Sequence, residues 1–278
     1  MNKDKNDFSQ GSVVKNIMSL AVPMTLAQLI NVLYNIVDRI YIGRIPQDST
    51  LSLTGIGLSL PIITMVIAFA NLFGMGGAPL CSIERGRGRI EEAEKIMGNS
   101  FTMMVISGIL LTAFGLIFKR PMLYLFGASD STWPFADANI TIYLFGSLFV
   151  MVGLGMNSFI NSQGFGKIGM MTVLLGAVSN IILDPIFIFV FEMDIAGAAV
   201  ATVIAQLSSC IFVLLTLHSK KMQIPIHLVK PEWEIGKRIC KIGFSPFLIL
   251  ATDSVIIIAL NAVLQYYGGE SQGDTLIT

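Results

Sequence analysis

Four stretches of this chain, residues 49–83, 96–118, 138–166 and 195–219, contain no charged side chain. Each is longer than the ~20 residues a helix needs to cross a bilayer. A chain built this way cannot hide its apolar surface in one water-soluble core. In hydrocarbon its backbone polar groups must pair internally, so the runs are expected as membrane-spanning helices. Three further apolar stretches fit the same description. The reading is an all-α polytopic membrane protein with spans at about residues 14–41, 52–81, 97–118, 137–162, 168–191, 196–217 and 239–267. Only 13% of the residues are charged, against roughly 25% in soluble domains.

The remaining composition narrows the partners. Eighteen basic and eighteen acidic residues cancel, which leaves no charge excess for nucleic acid. Cys81, Cys210 and Cys240 stand at unrelated spacings and read as small buried hydrophobes, with no metal or cofactor implied. The polar first residues and the long run after them do not match a cleavable signal peptide. Fourteen of the eighteen basic residues fall on one side of the spans: Lys3, Lys5, Lys15, Arg85, Arg87, Arg89, Lys95, Lys167, Lys220, Lys221, Lys230, Lys237, Arg238 and Lys241. Arg39, Arg44, Lys119 and Arg120 hold the other. The positive-inside rule then puts the N-terminus and the basic loops in the cytoplasm.

The long sixth-to-seventh loop, with Pro225 and Pro231, reads as a linker between two helix bundles. A repeat supports this division. Setting Pro23 on Pro246 pairs Lys15 with Arg238 and Asp38 with Asn261, so span seven restarts the plan of span one. Both helices are expected to break at their proline. The division is residues 1–217 as a six-helix lobe, 218–237 as a cytoplasmic linker and 238–278 as the first helix of a second lobe. The second copy is expected to be longer than the single helix present here.

Ionisable groups inside spans are expensive, and they usually face a cavity or a partner. Asp38 ends a polar stripe of Gln28, Asn31 and Asn35, with Tyr34 one turn before it. Helical spacing puts these on one face, which favours a water-filled cavity over simple packing. In span five Asn180 and Asp184 share a face, and Pro185 follows. Proline removes a donor and frees the Ile181 carbonyl, so an acid, an amide and a carbonyl meet in one turn. That oxygen-rich nest suits a small hard cation; the alternative is a simple kink with Asp184 satisfied by a neighbouring helix. Thr202, with Gln206 one turn on, offers a further oxygen if span six packs beside span five. Tyr143, Asn157 and Asn161 in span four are weaker candidates for the cavity, and Asp253 ranks below the first two acids. Fifteen Met and eighteen Phe mildly favour a polyspecific cavity. Glu84-Arg85-Gly86-Arg87-Gly88-Arg89 lacks the third glycine of a dinucleotide fingerprint and follows a membrane span, so it reads as a loop. Ile90 to Met97 is expected as a short amphipathic helix after it.

Four stretches together resemble the MATE (multidrug and toxic compound extrusion) family of cation-coupled transporters. They are Leu20-Ala21-Val22-Pro23 leading to Asp38 and Gly43, and Glu84-Arg85-Gly86 running into Ile90-Glu91-Glu92-Ala93-Glu94-Lys95. The third is Gln163-Gly164-Phe165-Gly166-Lys167. The fourth, and most specific, is Asn180-Ile181-Ile182-Leu183-Asp184-Pro185 with Gly197-Ala198-Ala199-Val200-Ala201-Thr202. The resemblance covers the whole chain. It implies a twelve-helix, two-lobe transporter of which this is the N-lobe plus one helix. It also implies antiport of amphipathic, often cationic drugs against Na⁺ or H⁺ in a bacterial plasma membrane, with no enzyme activity. In such members the cation site maps to Asp38, Asn180, Asp184 and Thr202, with Asn157 as a neighbour, and the bend falls at Pro23. A monomer is expected, and a chain ending at Thr278 is not expected to transport alone. Two rivals remain. A lipid or glycan flippase of the same superfamily would need basic side chains mid-span, and none is present. An intramembrane aspartyl protease would need a paired Gly-Asp pattern, which Leu183-Asp184-Pro185 lacks.

Overall fold

A computed structural model describes residues 12–45, 49–219, 222–227 and 229–277, with no statement made of the side chains of residue 265 and residues 268–277. Lys3, Lys5, Lys220 and Lys221, which contributed to the charge asymmetry, lie outside the described residues.

Among the described residues, apolar runs too long for any other membrane-stable conformation form seven helices. They are α1 (Val13–Ile42), α2 (Ser49–Gly86), α3 (Ile90–Leu125), α4 (Trp133–Ser162), α5 (Gly166–Pro185), α6 (Asp194–His218) and α7 (Trp233–Ile277). All seven are long and apolar enough to span a bilayer. Every span read from the sequence is present, and most extend beyond the apolar stretch. Charged and polar turns continue a helix as long as its backbone ladder is unbroken.

Three local expectations change. Ile90–Met97 is not a separate short helix: the helix runs on through Gly98 and Asn99, Glu91 and Glu92 suit a helix N-terminus, and the segment is the first two turns of α3. Proline does not break α1. The helix is continuous through Pro23, which is buried, and α7 is likewise continuous through Pro246. Span five does change character at its proline. Pro185 cannot donate to the ladder, and α5 passes there into a π turn, Ile186–Val190, closed by Phe191 N–H donating to the Ile186 carbonyl at 3.0 Å. Glu192 and Asp194 then take left-handed φ values of 52° and 48° and reverse the chain into α6.

The core lies among α2, α3 and α4, where Leu58, Ile96, Met97, Met104, Leu144, Met151, Met156 and Phe159 are fully buried. Small residues set the helix spacing, as expected where lipid gives no hydrophobic drive for helices to meet. A Cβ at Gly74 would stand 2.7 Å from the Gly155 backbone, so α2 and α4 cross in direct backbone contact. α4 packs on α6, and α6 on α5 and the π turn. α1 lies at the margin. It packs mainly on α5, barely meets α2, and leaves Ile17, Leu29, Leu33 and Ile36 exposed.

The linker is not a free tether. Gln163, at the end of α4, pairs with Ile224 through both ends of its amide: Nε2 donates to the Ile224 carbonyl (3.3 Å), and Oε1 accepts from the Ile224 N–H (3.0 Å). Asn99 Oδ1 accepts the Glu232 N–H at 2.6 Å. Gln163 and Asn99 are buried at 1% and 0% exposure, so the strap is anchored inside the helix ends.

Candidate functional site

The packing of α1 and α6 against α5 brings four polar residues together. Asp184, in the last turn of α5, is 0% exposed and Asn180 2%. Asn180 Nδ2 donates to Asp184 Oδ1 at 3.0 Å and to Thr202 Oγ1, across the gap to α6, at 3.3 Å. From α1, the partly buried Asp38 comes within side-chain hydrogen-bonding reach of Asp184. Gly197 explains how α6 gets so close: its Cα lies against the backbone of Phe187 in the π turn, where a Cβ would stand 2.7 Å from the chain. The widened turn after Pro185 and the bare Gly197 together dock the start of α6 beside Asp184.

The arrangement is rich in acceptors and poor in donors. Asp38 Oδ1, Asn180 Oδ1 and Asp184 Oδ2 are buried with no hydrogen-bond partner. The only side-chain nitrogen inside the cluster is the Asn180 amide, and it already serves two acceptors. A buried polar oxygen without a donor costs roughly 1–3 kcal/mol. Two carboxylates at this distance cannot both stay ionised and unpaired, so a proton or a cation must be shared between them. Two carboxyl groups, an amide oxygen and a hydroxyl fit either a bound proton or a small hard cation. Among the described residues no three His, Cys, Asp or Glu side chains gather at one point.

Tyr34 lies near enough to interact electrostatically with both aspartates, and Tyr143, 6% exposed on α4, lies close to Tyr34. The structure therefore places Tyr34 near the four, with Tyr143 on its far side. Asn35 comes within side-chain hydrogen-bonding reach of Tyr34, whereas Asn157 and Asn161 pack elsewhere. Asn157 Nδ2 donates to the Gly169 carbonyl at 3.3 Å, and Asn161 packs on the same glycine. Gly169 is roughly 22 Å along α5 from Asp184 at 1.5 Å per residue. These two asparagines hold α4 to the opposite end of α5. Gln28 and Asn35 are exposed, Asn31 and Gln206 are half-buried, and Asn35 Nδ2 donates back to the Asn31 carbonyl at 2.7 Å. Asp253 is exposed on α7, while Asn261 is 6% exposed with its Nδ2 unpartnered.

A second buried acid escaped the sequence reading. Glu84, 3% exposed at the end of α2, lies beside Arg87 Nη1 (3.0 Å), Arg89 Nη1 (3.6 Å) and Arg238 Nη2 (3.6 Å). The signal was a single acid leading three alternate arginines in Glu84-Arg85-Gly86-Arg87-Gly88-Arg89, which the loop reading treated as surface charge.

Comparison with known proteins points one way. The MatE family model matches residues 23–186. The multidrug export protein MepA of Staphylococcus saprophyticus is 30% identical over 263 residues, covering 94% of this chain and 58% of MepA. MepA of Staphylococcus haemolyticus is 28% identical over the same shares. Among solved structures, the MATE multidrug transporter DinF-BH superposes with a TM-score of 0.91 at 29% identity, over 99% of this chain and 62% of that one. The outward-facing conformation of a multidrug resistance MATE family transporter gives 0.85 at 26% identity, over 97% and 60%. The chain thus spans about 58% of the length of the curated relatives it matches.

Proposed function

The chain belongs to the MatE family, and on that premise we propose that it is the first part of a secondary active multidrug exporter. It is a multi-pass membrane protein with bacterial homologues, and a transporter rather than an enzyme. The exporter exchanges Na⁺ or H⁺ for amphipathic, often cationic drugs by alternating access, with the N-terminus and basic loops in the cytoplasm. Residues 1–217 form one lobe, 218–237 the linker, and α7 opens the second lobe.

One observation carries this reading: Asp38, Asn180, Asp184 and Thr202 converge with three buried oxygens that no donor satisfies. Such a cluster changes its interactions when a proton or Na⁺ arrives. With the cation absent, Asp38 and Asp184 repel across the α1–α5 contact. With it bound, they are drawn together. Asp38 comes from the marginal helix α1, so cation binding biases the position of α1 relative to α5. Coupling follows only if drug and cation prefer different facing states, since a ligand with equal affinity for both moves nothing. Tyr34 supplies a hydroxyl near the acids, and the polar stripe of α1 faces the drug.

A flippase would need basic side chains to hold phosphate. The cluster contains none, which favours a cationic or neutral amphiphile as cargo. The deciding experiment is drug uptake into proteoliposomes of the full-length protein under an imposed Na⁺ gradient and then a pH gradient. Transport driven by one of them, and lost in Asp38→Asn and Asp184→Asn, is the expected result. Undiminished transport in both variants sinks the cation site.

A further inference from the structure

The contact between α2 and α7 is built differently at its two ends. Toward the basic end the helices meet backbone to backbone. A Cβ on Gly76 would run into the Ile239 carbonyl, and one on Gly243 into the Leu72 carbonyl. Beyond this crossing lies the buried Glu84 with its three arginines. Arg87 and Arg89 belong to the same loop as Glu84. Arg238 alone comes from α7. Toward the other end an apolar cavity of about 120 Å³ lies among α2, α3, α4 and α7, with Pro61, Ile62, Val66, Val255 and Ile258 in its lining. The polar contact there is Ser254 Oγ, 3.4 Å from the Pro61 carbonyl.

The linker cannot supply the freedom for α7 to move. Ile224 is pinned to the end of α4 by Gln163 and Glu232 to α3 by Asn99, and Thr102 Oγ1 adds a contact of 3.1 Å to the Val229 carbonyl. A displacement of α7 against α2 must therefore take place at the glycine crossing. No side chain there resists rotation, and tight packing forbids separation.

We propose that Glu84 and Arg238 form a latch on the basic face of the molecule. It holds α7 on α2 at that end, and its rupture, with Gly76 and Gly243 as the pivot, opens that face. Glu84 suits the task because leaving a buried carboxylate without a partner is strongly destabilising. When Arg238 leaves, Arg87 and Arg89 remain, so opening does not strand the acid. The latch rests on the alternating-access reading above, but its test follows the exposure of α7 and not transport.

Cys240 provides the readout. It is half-buried on α7, two residues from Arg238, and Cys210 is buried on another helix, α6. The rate of N-ethylmaleimide labelling at each cysteine can be followed by mass spectrometry on the purified protein in nanodiscs. Arg238→Gln is expected to raise the Cys240 rate about threefold, the scale of a half-exposed ion pair. Arg238→Lys is expected to keep the rate near wild type. Arg89→Gln removes a Glu84 partner that is not on α7 and is expected to leave the rate unchanged. A wild-type rate in Arg238→Gln overturns the latch. So does an equal rise in Arg89→Gln, or a parallel rise at Cys210, which would report general loosening.

Discussion

Asp184 and Glu84 are both buried carboxylates at helix ends, 0% and 3% exposed, and they live in opposite electrostatic surroundings. Asp184 faces another acid, an amide and a hydroxyl, and makes no ion pair among the described residues. Glu84 faces three guanidinium groups. The first is left incomplete and needs something mobile to finish it. The second is neutralised by arginines, though its Oε2 accepts no hydrogen bond, and it ties elements together. Burial alone therefore does not identify a functional acid: the sign of its neighbours decides whether it waits for a ligand or holds the fold.

The largest test of this contrast is Asp184→Asn. It is expected to cut ethidium efflux by at least about tenfold in cells carrying the full-length protein, while the thermal unfolding midpoint in detergent stays level or rises. Replacing one of two facing acids removes repulsion and costs no ion pair. A folded variant with wild-type efflux would break the comparison at its functional end.

Glu84→Gln should behave in the opposite way, losing stability. An amide cannot neutralise the arginines, and the expected cost is about 1–3 kcal/mol, read from chemical or thermal unfolding. If Glu84→Gln proves neutral, the structural half of the contrast fails. Gln163→Ala sharpens the picture of the basic face. Losing the two-bond pairing to Ile224 should cost about 1–2 kcal/mol and speed proteolytic cleavage within residues 222–232, seen on gels. The smallest effect is expected for Arg89→Gln, whose largely exposed side chain contributes below ~0.5 kcal/mol. An unfolding shift larger than that of Glu84→Gln would mean the loop arginine, not the acid, is the centre of the cluster.

Much of the architecture was readable because its cause is local. A run of twenty apolar residues has few options in a bilayer, so all seven helices could be placed without tertiary information. Asn180 and Asp184 were readable as a pair, since i and i+4 share a face whatever the helix packs against. Helix ends were less readable. Ile90–Met97 joined α3, and Pro23 left α1 unbroken, because proline breaks a helix only where the lost bond cannot be absorbed locally. Pro185 had a visible consequence, a π turn, but spacing alone could not say that the wider turn would receive Gly197.

What the amino-acid sequence determined by itself was the set of helices, their polar faces and the presence of costly acids, because hydrophobic length and helical periodicity act within one segment. What only the tertiary structure decided was which oxygens meet. Thr202 reaches Asn180 because α6 docks on the π turn, and Asp38 reaches Asp184 because α1 packs on α5. Asn157 and Asn161, similar in type and spacing, are held at the far end of α5. Glu84 meets Arg238 across more than half the chain. Such meetings depend on the rotation and crossing of whole helices, which are set by small residues at backbone contacts rather than by the residues that meet.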